Sequence, residues 1–161
     1  MLQDFIKKAI KDQLKRTIDD AIPESVDFKV VPIISNSTLE ETVHGNTYAF
    51  IAYFHPDDDS SKQIAPRLDT FAREIIAEGF GVVIQAIDCK FYEEACTKNE
   101  IKYYPTLMLY VNEIEVEFPK STKLPQSSNL VTFVRKRVTA DLIEIMDVSN
   151  IEKPAIVVYA E

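Results

Sequence analysis

Between Thr47 and Leu109 the hydrophobic pattern switches between two periods, and that switching limits what the chain can fold into. Tyr48 to Phe54 is a near-continuous apolar run, as expected of a strand covered on both faces. A polar loop follows, His55 to Ser60. Apolar residues then return at Ile64, Leu68, Phe71 and Ile75, at intervals of four, three and four, which is one face of a helix. Val82 to Ile87 is a second strand of the buried type. Strand, helix and strand in this order close as a right-handed crossover with the two strands parallel. The class is therefore α/β, with helices covering a central sheet. Glu93 to Lys98 reads as a short helix. Thr106 to Val111 and Ile114 to Phe118 read as a hairpin with Asn112-Glu113 at its tip. Asn-Glu is a poorer hairpin signal than Asn-Gly, so a longer loop is also compatible. After a polar loop, Pro119 to Ser128, the last helix is predicted over Asn129 to Val138, with Leu130, Phe133, Val134 and Val138 facing inward.

Upstream, Leu2 to Ala21 places Leu2, Phe5, Ile6, Ala9, Ile10, Leu14 and Ile18 at helical spacing, and Pro23 ends it. Lys7, Lys8, Lys11, Lys15 and Arg16 admit a membrane-surface helix. Asp4, Asp12, Asp19 and Asp20 dilute that charge, so the preferred reading is a linker helix packing on its own or a neighbouring domain. Phe28 to Ile34 is predicted to be a strand. Ser35 to Thr38 is a cap cluster for a short helix, Leu39 to Val43, with Thr38 and Glu41 as a capping box. Gly45-Asn46 turns the chain into the central strand. At the other end, Leu142 to Asp147 reads as a strand, Val148 to Lys153 as a linker, and Pro154 to Tyr159 as a further apolar strand. That order is expected of a following domain, and it predicts an excerpt of a larger, multidomain protein. The predicted division is 1–22, a linker helix; 23–140, the main domain; and 141–161, a tail opening the next domain.

Composition narrows the partners. With 161 residues, 46% hydrophobic, the chain can bury one good core. A net charge of −8 argues against nucleic acid and anionic membrane surfaces. No apolar run approaches the roughly 20 residues that span a bilayer. The N-terminus is charged and amphipathic, unlike a leader peptide. No cofactor-binding or metal-ligand motif is present; Cys89 and Cys96, seven positions apart, match neither Cys-x-x-Cys nor zinc-site spacing.

The stretch Tyr53, Phe54, His55, Pro56, Asp57, Asp58, Asp59, Ser60, Ser61, Lys62, Gln63, Ile64, Ala65, Pro66 resembles the active-site stretch of the protein disulfide isomerase family, Phe-Tyr-Ala-Pro-Trp-Cys-Gly-His-Cys-Lys-x-x-Ala-Pro. Pro56, Lys62, Ala65 and Pro66 fall in place. Further along, Tyr104-Pro105-Thr106 matches the family's Tyr-Pro-Thr, whose proline is cis and borders the active site. The resemblance runs from about Phe28 to Ala140. It implies a thioredoxin fold, a central mixed sheet of four to five strands flanked by helices, here with an extra N-terminal amphipathic helix. It also implies a structural disulfide between Cys89 and Cys96, like the pair some members carry ahead of Tyr-Pro-Thr, and so an oxidising compartment. Closing so short a loop contributes roughly 2.5 kcal/mol. Two free, buried thiols are the alternative.

The chemical parts of the family's site are missing. Asp58 and Ser61 stand at the two cysteine positions, Asp57 at the tryptophan, and Ala52 at the buried acid that moves protons. A dithiol mechanism needs a thiolate and a second cysteine to resolve the mixed disulfide, so none is expected here. Carboxylates just ahead of a helix are favoured by its dipole, and one can cap the free amides. A divalent cation held by His55 with Asp57, Asp58 and Asp59 is the sharper but weaker reading. His55 as a base for Ser61 lacks a third member, and helix capping is preferred. The turn at Tyr104, Pro105 and Thr106, with Phe54 and His55 beside it, is expected to pair with an extended peptide by strand addition.

These readings converge on a redox-inactive domain of an endoplasmic-reticulum folding factor. Its expected partners are unfolded polypeptide and neighbouring thioredoxin-like domains, with no nucleic acid and no membrane, and no catalytic residue, metal or cofactor at this locus. The rival readings are an acidic calcium-binding protein and a redox enzyme using Cys89 and Cys96.

Overall fold

The computed structural model of the protein describes residues 2–23 and 25–151. Its elements, in chain order, are α1 (Leu2–Asp20), α2 (Asn36–Gly45), β1 (Tyr48–Phe54), α3 (Asp59–Glu78), β2 (Val83–Asp88), α4 (Glu93–Lys98), β3 (Thr106–Val111), β4 (Ile114–Glu117) and α5 (Ser127–Ile151). The four strands lie in the order β2-β1-β3-β4. β1 runs parallel to β2, as the crossover requires, and antiparallel to β3, which forms the hairpin with β4. This is the thioredoxin fold with a mixed sheet.

β1 occupies the middle of the sheet and every one of its residues is buried. Successive side chains of a strand point to opposite faces. Phe50, Ala52 and Phe54 therefore meet Ile64, Leu68, Phe71 and Ile75 of α3 with Leu130, Val134 and Val138 of α5. Ala49, Ile51 and Tyr53 meet Leu39 of α2 and Tyr92 and Cys96 around α4. The unbroken apolar run is thus the mark of a strand with helices on both sides. α3 ends at Gly79, whose φ of 75° is the left-handed value at which glycine costs least. α1 is tied down at its C-terminal end, where the Tyr92 hydroxyl sits against the Ile18, Asp19 and Ala21 carbonyls.

Several expected elements differ from those observed. Phe28 to Ile34 is no strand: it makes only a bridge between Ile33 and Ala86. The cause is Asp69, a buried carboxylate on α3 that accepts the backbone N–H groups of Lys29, Val30 and Val31 at 2.7–2.9 Å. Those amides curl onto one side chain instead of pairing with a strand, and Pro32 has no N–H to offer. α2 starts three residues before the expected Leu39, because Ser35 rather than Thr38 is the cap, accepting from the Thr38 amide at 3.2 Å. The hairpin turn holds only Asn112 and Glu113, both at positive φ, 51° and 68°. The twist of the flanking strands demands that geometry of a two-residue turn. Leu142 to Asp147 is not a strand but part of α5, which runs on to Ile151. A short apolar run does not by itself distinguish strand from helix. Here the helix is already under way, and Asp141 accepts the Tyr48 hydroxyl at 2.6 Å, anchoring the helix to β1 just before that run. The predicted strand from Pro154 to Tyr159 lies outside the described residues.

Removing the Asp69 carboxylate leaves three amides without their acceptor. Asp69→Ala is expected to destabilise the chain by about 3 kcal/mol, read as a lower urea midpoint, with Asp69→Asn intermediate because one oxygen remains. An unchanged midpoint in Asp69→Ala would show that the carboxylate does not hold the 29–31 segment.

Candidate functional site: the start of α3 and the cis-proline turn

β1 delivers the chain to the site and α3 leads it away, so the loop between them is short and bonded to itself. The Asp58 amide donates to the His55 carbonyl at 3.0 Å, and the Asp57 amide to His55 Nδ1 at 3.2 Å. Asp58 is the cap of α3: its backbone is extended and its Oδ2 accepts the Ser61 amide at 3.0 Å. Ser61 is fully buried and its Oγ accepts the His55 amide at 3.1 Å. Both oxygens thus serve amides that a helix start leaves without intrahelical partners or that the loop would otherwise bury unpaired.

The three aspartates act apart. Asp58 caps, Asp59 begins the helix, and Asp57 pairs with Lys90 at 2.8 Å. Among the described residues no group of three or more His, Cys, Asp or Glu side chains converges to hold a metal ion. Ala52 is buried in β1 between Ala86 and Leu107.

The Tyr104–Pro105 peptide is cis. It lies against the helix start, since the His55 and Tyr104 rings stand 5.4 Å apart, and Thr106 pairs with Tyr53 across the sheet. Among the described residues the backbone N–H and carbonyl of Tyr104 have no protein partner. Ser60 and Ile64 of α3, Tyr103 to Pro105, and the loop from Phe118 to Pro125 enclose a groove of about 330 Å³. Of the expected peptide-contacting residues, Tyr104 and Pro105 line it. His55 flanks it through Tyr104. Thr106 and Phe54 are buried, and Phe54 packs edge-on against Phe28 in the core. Sequence reasoning missed the opposite wall, because Arg67 of α3 holds it from 57 and 58 positions away in the chain. Arg67 donates to the Leu124 and Pro125 carbonyls, both at 3.1 Å, and Lys120 Nζ lies 4.4 Å from the Tyr103 ring centre. The two prolines bracketing a polar loop after the hairpin were the one available signal.

Cys89 and Cys96 are joined in a disulfide with their Cα atoms 5.7 Å apart, and both are buried on the α2–α4 side of the sheet. The Cys89 amide donates to the Phe54 carbonyl at 2.8 Å, so the cross-link braces the end of β1. Next to it, buried Asp88 accepts the Lys90 and Phe91 amides at 2.8 and 2.9 Å, which sets the loop that carries Lys90 to Asp57.

A sequence model of the thioredoxin family, described as "Thioredoxin", matches residues 30–136. The chain is 28% identical over 159 residues to a thioredoxin domain-containing protein 5 homolog of Drosophila melanogaster, covering 96% of this chain and 37% of that protein. It is 27% identical over 124 residues to protein disulfide isomerase-like 1-5 of Oryza sativa subsp. japonica, covering 77% of this chain and 23% of that protein. The chain therefore spans well under half the length of these relatives. Form I of human ERp44 superposes with a TM-score of 0.62 at 17% identity, over 70% of this chain and 30% of that one.

The hydrogen bond from Lys90, with its positive charge, holds the Asp57 carboxyl below the ordinary carboxylate range. A lowered folded-state pKa adds stability above the unfolded value, lost as pH falls through the folded one. The Asp57 carboxyl resonance should therefore titrate below that of an exposed aspartate, and return to the ordinary range in Lys90→Met; identical titrations would remove the ion pair. Reducing the disulfide should lower stability by about 2.5 kcal/mol, the effect of opening a short loop, measured as the urea midpoint with and without reductant. A midpoint indifferent to reductant would mean that the cross-link contributes nothing.

Proposed function

The chain belongs to the thioredoxin family, and from that premise we propose that it is a redox-inactive, protein disulfide isomerase-like domain that binds unfolded polypeptide. The observation that carries this reading is a pairing of two features at one place. The positions that hold the dithiol in the resembling family carry Asp58 and Ser61, both spent on local hydrogen bonds. Beside them the Tyr104 backbone is unpartnered and faces an open groove. An extended chain can pair with such groups by strand addition while its side chains enter the groove. Carboxylate and hydroxyl cannot exchange with a disulfide, so the site retains recognition without chemistry.

The same reading extends to the setting. The matched residues make up 37% of one relative and 23% of the other. We take 1–22 as a linker helix and 141–161, whose first part continues α5, as the lead into a following domain, so that this unit also holds sister domains in place. A buried disulfide is stable in an oxidising compartment, which supports the endoplasmic-reticulum lumen.

Two measurements test the proposal. The disulfide-bonded chain should show no reduction of insulin and no oxidation of a dithiol peptide; turnover in either assay overturns the redox-inactive reading. Titration with a permanently unfolded, carboxymethylated protein should shift the amide resonances of Tyr104 and its groove neighbours. Shifts confined to other faces, or none at all, overturn the binding reading.

A further inference from the structure

We propose that the polypeptide taken by the groove is acidic: an extended segment in which carboxylate side chains alternate with apolar ones. This rests on the polypeptide-binding reading above and adds the class of sequence that is preferred.

The first observation is a contrast in charge. The chain carries 26 acidic against 18 basic residues, for a net charge of −8. Yet the groove beside Pro105 is lined by Lys120 and Lys123 and by no aspartate or glutamate. An adjoining hollow of about 620 Å³ shares the Phe118 to Pro125 wall, adds Lys136, and again has no carboxylate. Hollows on the α2–α4 side are mixed and mainly acidic, with Glu40, Glu113 and Glu115 against Lys98 around one and Asp19, Glu40, Glu93 and Glu94 against Lys90 and Lys98 around another. Three lysines, Lys120, Lys123 and Lys136, are thus gathered on the wall that faces the unpartnered Tyr104 backbone.

The second observation is that these cations are uncommitted. Among the described residues, no carboxylate lies within 4.0 Å of Lys120, Lys123 or Lys136. Lys120 rests instead on the Tyr103 ring, one residue from the unpartnered Tyr104 backbone. The loop bearing Lys120 and Lys123 is already held, by Arg67 on the Leu124 and Pro125 carbonyls and by the Phe118 amide on the Leu107 carbonyl. A preformed wall spares the ordering cost of binding. Tyr104, Phe118 and Leu124, each half-buried, supply apolar contact in the same groove. Because side chains of an extended peptide alternate in direction, one set can enter that apolar wall while the other meets the lysines.

The test is sharp because net charge alone predicts the opposite order: a chain at −8 attracts basic peptides. Affinities of the whole chain are measured for three short peptides that alternate phenylalanine with aspartate, asparagine or lysine. The aspartate peptide is expected to bind tighter than the lysine peptide by on the order of tenfold at low salt, with asparagine between, and the spread to shrink as salt rises. Lys120→Glu, Lys123→Glu and Lys136→Glu together should reverse the order while the chain remains folded by circular dichroism, since all three side chains are exposed. Equal affinity for the three peptides with shifts at Tyr104 overturns the acidic preference and leaves polypeptide binding standing. An acidic preference that survives the triple variant, or maps to another face, overturns the assignment to this groove. Failure of every peptide to bind overturns both.

Discussion

Complete burial of β1 is the constraint from which the rest of this structure follows. A strand apolar on both faces must be covered twice, and it must be paired on both edges to satisfy its amides. β2 and β3 supply the edges, α3 with α5 one cover, and α2 with α4 the other. The parallel partner needs a crossover, and that crossover is α3. The start of α3 is therefore forced to lie at the C-terminal end of the central strand. The cis-proline turn enters the neighbouring strand at the same end, since Thr106 pairs with Tyr53. The site is where it is because the sheet is built this way.

At that place the chain uses oxygen atoms for what is needed locally. A helix start has amides to satisfy, and Asp58 supplies the acceptor. A tight loop has an amide facing inward, and the Ser61 hydroxyl takes it. Buried carboxylates follow the same rule elsewhere: Asp69 gathers three amides ahead of α2, and Asp88 gathers two after β2. A buried carboxylate is costly unless hydrogen-bonded, and each of these is. The recurrent device is one acidic side chain organising one irregular segment, which lets loops stay close to a small sheet.

Legibility followed the range of the interaction responsible. Tyr48–Phe54, Glu93–Lys98 and Thr106–Val111 were read from the sequence with the boundaries observed, because strand and helix periods are local and strong there. The 28–34 segment was misread because its amides are claimed by Asp69, about forty residues away. Leu142 to Asp147 was misread because a short apolar run does not by itself distinguish strand from helix, and the choice fell to a helix already in progress. In the site, Asp58, Ser61 and Pro105 were placed by motif. The wall carrying Lys120 and Lys123 was not, since nothing near those residues signals that Arg67 draws the loop toward the turn.

By itself the sequence determined the run of elements from β1 to β4, the parallel crossover and the absence of Cys-x-x-Cys, all consequences of residue type and spacing within a few turns of chain. Only the tertiary structure decided that the cysteines are bonded and buried. It alone decided that the three aspartates diverge, and that a lysine-bearing loop faces the open backbone of Tyr104. Those outcomes depend on which distant segments the sheet brings side by side, and local propensity carries no information about that.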